Sequence, residues 1–166
     1  MNDSLARSIR SLALKLLARR DYSRLQLKKK LQEKIEQRRH RFTEGDAART
    51  IQSVLKSLEA SGLINDSRFA GNLAWGSRCD RLFGNARIRR DLRHFGIDAK
   101  ITDSILSEIP DESEALDKAV RHYVHRRGEP ASLGDLQRVY RYGVRLGHRP
   151  SEVRRRLEVY FRRLKK

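Results

Sequence analysis

An all-α fold follows from three features of this sequence. Apolar residues recur at three- and four-residue intervals almost throughout, only three prolines interrupt 166 residues, and no stretch alternates with a period of two. No Asn-Gly or Asp-Gly turn joins two β-branched runs, so a sheet is not expected.

Taken in order, Leu5, Ile9, Leu12 and Leu16 mark one face of a first helix. Ser23 with Gln26 forms a capping box that opens a second, carrying Leu27, Leu31 and Ile35. After a basic loop from Gln37 to Phe42, Thr43 and Asp46 open a third with Ala47, Ile51, Val54, Leu55 and Leu58, which Gly62 stops. Asp66 or Ser67 caps the fourth, with Phe69, Ala70 and Leu73 inward. Gly84 and Asn85 open the fifth on Ile88, Leu92 and Phe95, ended by Gly96. Asp98 opens the sixth, with Ile101, Ile105 and Ile109, and Pro110 breaks it. Asp111 with Glu114 starts the seventh, carrying Leu116, Ala119 and Tyr123, and Gly128-Glu129-Pro130 ends it. Leu136, Val139, Tyr140 and Gly143 mark the eighth, stopped at Gly147. Pro150 suits the first turn of the ninth, with Val153, Leu157, Tyr160, Phe161 and Leu164.

The register repeats. Gly96 follows Ile88 and Leu92 by the same steps by which Gly147 follows Val139 and Gly143, and a capped helix comes next in both cases. The spacing predicts three tandem three-helix repeats, 1–62, 63–109 and 110–166, in an elongated, curved arrangement whose neighbours lend each other stability. The competing arrangement is an ordinary nine-helix bundle.

Composition narrows the partner. The chain carries 38 Lys and Arg against 21 Asp and Glu, a net charge of +17, which points to a polyanion. The charge is uneven. Thirteen Lys and Arg face three acids between Leu5 and Arg41, and eleven face two between Arg138 and Lys166. Between Asp98 and Asp117 seven acids stand against Lys100 alone. The single cysteine, Cys79, excludes an internal disulfide and a cysteine metal cluster, and fits the cytoplasm. No apolar run reaches the ~20 residues of a membrane span, and no secretory leader is visible, so no membrane partner is expected.

Little in the chain suits catalysis. Walker, Gly-x-Gly-x-x-Gly and Gly-x-Ser-x-Gly patterns are absent. His122 and His125 lie one helical turn apart but lack a third ligand, Cys79 reads as a helix-packed thiol, and Asp111-Glu112 reads as a helix N-terminus. No enzyme activity, cofactor or metal is expected. The candidate binding residues are basic: Arg87, Arg89, Arg90 and Arg93 on the fifth helix, Arg138, Arg141 and Arg145 on the eighth, and Arg154, Arg155 and Arg156 on the ninth. Arginine's planar fork suits phosphate and carboxylate, although GC-rich coding also favours arginine. A base-reading helix-turn-helix between Gly84 and Ile109 is excluded, because its second helix would present Asp98, Asp103 and Glu108 to phosphates.

Several blocks resemble one known family. Leu17-Ala18-Arg19-Arg20-Asp21-Tyr22-Ser23 with Leu27 and Lys30-Leu31 is similar to the opening signature of the RecX recombination regulators. Leu63-Ile64-Asn65-Asp66-Ser67-Arg68-Phe69-Ala70 resembles its central block, as does the run Gly84, Arg87-Ile88-Arg89, Leu92, Gly96-Ile97. Gly128-Glu129-Pro130, then Gly147, Val153 and Leu157, resembles the last repeat. The chain departs where Asn65 replaces an acid and where Leu146-Gly147-His148 replaces an Arg-Gly-aromatic. The resemblance implies tandem three-helix repeats and a monomer that binds along the groove of a RecA recombinase filament on single-stranded DNA. It further implies capping or destabilising of that filament, with lowered ATPase and strand exchange. Duplex DNA is a further candidate partner. Only Arg87 and Arg89 fall inside a firm motif. The alternative is a sequence-independent DNA- or RNA-binding protein without a recombinase partner; a protein-only helical adaptor is disfavoured by the charge.

Overall fold

The computed structural model describes residues 3–37 and 44–164, and every regular element among them is a helix. In order these are α1 (Asp3–Leu17), α2 (Arg24–Glu36), α3 (Glu44–Ala60), α4 (Asp66–Cys79), α5 (Asn85–His94), α6 (Ala99–Glu108), α7 (Glu112–Arg127), α8 (Leu133–Arg145) and α9 (Pro150–Leu164). The all-α expectation holds. Thr43 and most of the expected basic loop lie outside the described residues.

Local chemistry sets most boundaries. The capping box at α2 is present: the Gln26 amide donates to Ser23 Oγ at 3.2 Å, and the Ser23 amide donates to Gln26 Oε1 at 3.3 Å. At α4 the cap is neither Asp66 nor Ser67. Asn65 Oδ1 accepts from the Arg68 amide at 2.9 Å, so Asn65 is the cap. Asp66 is thereby released for a different partner. Asp111 caps α7 by accepting from the Ser113 amide at 2.7 Å, rather than pairing with Glu114. Ser132 caps α8.

The chain divides into two compact units, one of residues 1–70 and 95–98, the other of residues 71–94 and 99–166. In the first, α1, α2 and α3 bury Leu5, Ile9, Leu27, Leu31, Ile51, Leu55 and Leu58, with Tyr22 beneath them. In the second, α7, α8 and α9 close on Leu116, Val120, Leu136, Val139, Val153 and Leu157. Gly143 lets α8 and α9 approach, since a Cβ there would sit 3.0 Å from both Val153 methyls. Ile88 and Leu92 of α5 are also buried. Two expectations fail at the surface: Phe161 is exposed, and so is Cys79, which is not a packed thiol.

Each unit contains one joint of the same design. In the first, Ser23 Oγ donates to the Phe95 carbonyl at 2.7 Å, and the Arg24 amide donates to Asp66 Oδ1 at 2.7 Å. Gly96 lies against Leu25 with φ +76°. In the second, the Gly84 amide donates to the Leu146 carbonyl at 2.9 Å, and the Asn85 amide to Glu112 Oε1 at 3.2 Å. Gly147 follows with φ +90°. Thus the start of α2 meets the α5–α6 turn and the first residue of α4. The start of α5 meets the α8–α9 turn and the first residue of α7.

Candidate functional site

The second unit gathers all ten arginines expected to bind a polyanion, on three helices whose apolar faces are buried. The opposite faces therefore carry charge to solvent. On α5, Arg90 and Arg93 are exposed, and Arg90 pairs with Asp91 at 3.6 Å. Arg89 pairs with Asp103 of α6. Arg87 lies at the flank, half-buried, with its guanidinium 4.5 Å from the Phe83 ring centre and Nε 3.5 Å from Asp91.

On α8, Arg138 pairs with Asp135 at 2.7 Å, Arg141 is exposed, and Arg145 stacks 5.7 Å from the Tyr142 ring centre. On α9, Arg154 lies 5.8 Å from the Tyr140 ring centre, Arg155 pairs with Glu152, and Arg156 with Asp117 of α7. Stacking on a ring restricts a guanidinium without neutralising it, which leaves its edge donors for an anion. The acidic segment is therefore not a separate patch. Asp103 and Asp117, distant in sequence from α5 and α9, are counter-ions for them.

Sequence reasoning missed a buried polar cluster at the second joint. Arg78 is 2% exposed and its Nη2 donates to Asn85 Oδ1, while Nε and Nη1 have no hydrogen-bond partner among the described residues. Burial lowers the Arg78 pKa, opposed by the charges of Glu112 and Asp111. The His148 side chain is fully buried. Its Nε2 lies 2.9 Å from the Leu82 carbonyl, which can only accept, so Nε2 carries the proton. Its Nδ1 faces Glu112 Oε1 at 3.5 Å, too long for a good hydrogen bond.

Burial pushes the Glu112 carboxyl up, yet the contacts from His148, the Asn85 amide and Arg78 outweigh it and hold the group below its ordinary value. Leu82, whose carbonyl meets His148, has φ +56°, a left-handed conformation uncommon for a branched side chain. In the sequence, the departure of Leu146-Gly147-His148 from the resembled pattern was the advance signal.

His122 and His125 are exposed, and among the described residues no three His, Cys, Asp or Glu side chains cluster to hold a metal. No helix among those residues is long and apolar enough to cross a membrane.

No family model matches the chain. Individual proteins do. The chain is 32% identical to a regulatory protein RecX of Trichlorobacter lovleyi over 151 residues, which cover 88% of this chain and 91% of that protein. It is 30% identical to a regulatory protein RecX of Halorhodospira halophila over 147 residues, covering 89% and 84%. Its fold is similar to the crystal structure of RecX from Lactobacillus salivarius, with a TM-score of 0.73 at 17% identity, covering 98% and 97% of the two chains. A second RecX crystal structure superposes with a TM-score of 0.71 at 22% identity, over 89% of this chain and 69% of the other. With more than 30% identity across nearly nine-tenths of its length, the chain belongs to the RecX family of regulatory proteins.

Proposed function

We propose that this chain is a cytoplasmic, monomeric regulator that binds a RecA-type recombinase filament on single-stranded DNA and inhibits its growth, ATPase and strand exchange. Family membership makes the role regulatory. The observation that carries the rest is the arginine surface of α5, α8 and α9, where Arg145 and Arg154 rest on aromatic rings that restrict them without neutralising their charge. A filament offers phosphates and acidic protein surface together, and a guanidinium fork can grip either. We also read the chain as three repeats, 1–62, 63–109 and 110–166. The support is that the two joints use equivalent positions: Ser23 and Gly84, Phe95 and Leu146, Asp66 and Glu112.

The test is Arg154→Glu with Arg155→Glu and Arg156→Glu. Helicity and melting should stay close to wild type, because all three side chains are on the surface and such pairs contribute about 0–1 kcal/mol each. Inhibition of recombinase ATPase should be lost at concentrations where wild type acts. Wild-type inhibition by a well-folded variant would remove α9 from the interface. The second reading, a sequence-independent nucleic-acid-binding protein, draws on the charge of +17. Equal capture by naked strand and by filament would favour it.

A further inference from the structure

The basic N-terminal segment is not used by the surface just described. Within the first unit, α2 and α3 enclose an open groove of about 510 Å³, lined by Lys28 and Gln32 on one side and Ala48, Arg49, Ile51, Gln52, Ser53 and Lys56 on the other. Three cations line it, with no carboxylate among the described lining residues. Nearby acids are engaged elsewhere: Glu33 by Lys30 and Glu59 by Arg24, both at 2.7 Å. Gln52 accepts from Arg24 at 3.0 Å, which fixes its amide at the groove wall. Arg49, Gln52, Ser53 and Lys56 form one stripe of α3, and the two charges lie seven residues, roughly 10 Å, apart along its axis.

We infer that this groove is a second binding site, for the backbone of single-stranded nucleic acid. A flexible single strand can lay its backbone along a positively charged groove of this kind. Two of the three cations are lysines, point charges that neutralise phosphate without demanding the planar geometry a carboxylate offers to arginine. Gln32 and Ser53 add neutral hydrogen-bonding groups, and Ala48 leaves a small apolar surface beside them. The three charges address the phosphate backbone, which carries no sequence information. The inference rests on the proposed function only for the kind of polyanion.

The experiment uses the full chain and a labelled oligo-dT strand, without recombinase, so the groove is judged whether or not wild type inhibits ATPase. Binding is followed by anisotropy across a salt series for wild type and for Lys28→Glu with Arg49→Glu and Lys56→Glu. The reversal should weaken binding about tenfold or more at low salt. It should also flatten the log–log salt slope by about two, three lost contacts at ~0.7 each. Superimposable slopes overturn the inference. A measurement free of variants accompanies it: acetylation of Lys28 and Lys56 in wild type should slow when oligo-dT is bound. Unchanged labelling, or equal protection by polyglutamate of matched charge, overturns it too.

Discussion

The two joints share a plan and differ in what fills it. Both dock the start of one helix on the turn between two later ones, and both hand the first helical amide to a carboxylate. In the first joint the bond to the turn comes from a side chain, Ser23 Oγ, and the closest packing is Gly96 against the Leu25 side chain. In the second it is backbone on backbone, and a Cβ on Gly84 would stand 2.2 Å from the Gly147 carbonyl oxygen. A side chain can yield; a peptide group cannot yield without moving a helix. The second joint also buries Arg78 and His148 and half-buries Glu112. The first is an adaptable contact and the second a rigid, charged one.

The sharpest way to break the comparison is at the glycines. Gly84→Ala or Gly147→Ala should cost on the order of 4 kcal/mol, because both would drive Cβ into backbone and Gly147 also has positive φ. Gly96→Ala should cost about 1–3 kcal/mol, from its φ of +76° and a displaced Leu25. Chemical denaturation of the three variants measures the gap. Equal losses would mean that the joints are mechanically alike.

Leu92→Ala comes next, at roughly 2–5 kcal/mol, since the side chain is 0% exposed on the helix whose start enters the second joint. Exposed Arg93→Ala on the same helix should change stability by no more than about 0.5 kcal/mol. Thermal melts of the pair check the facing of α5.

The smallest effect separates the joints by pH. Glu112 is held below its ordinary pKa, so it binds fewer protons folded than unfolded. Its contribution is present above the unfolded value of about 4.3 and is lost as pH falls through that value toward the folded one. Glu112→Gln should therefore lose about 1–3 kcal/mol at pH 7 and converge on wild type below about pH 4. A constant gap across the melting series would show that shape, not charge, is what Glu112 supplies.

Helix identity was legible because amphipathic spacing survives in nearly every segment, and the matched steps to Gly96 and Gly147 already marked two equivalent turns. The joints themselves were not. Their bonds run between backbone groups such as the Gly84 amide and the Leu146 carbonyl, which leave no trace in side-chain pattern. Asp66 and Glu112 look like ordinary first-turn acids, and only the fold shows that each accepts from another helix's first amide. Arg78 was hidden among many arginines, yet among the described ones it alone is nearly fully buried. The arginine surface was readable as charge but not as pairing, because Asp103 and Asp117 reach it through tertiary contact.

That pairing separates attraction from retention. Within about a Debye length, roughly 10 Å, but before contact, an approaching polyanion responds to the summed field of the basic surface, which sets how often it arrives. Once in contact, it can hold Arg89 or Arg156 fully only by displacing Asp103 or Asp117. The acidic segment is therefore a resident competitor that shortens occupancy without discouraging encounter. Asp117→Asn should lengthen the lifetime of a bound complex more than it quickens its formation, and stopped-flow association and dissociation rates would show the two moving apart.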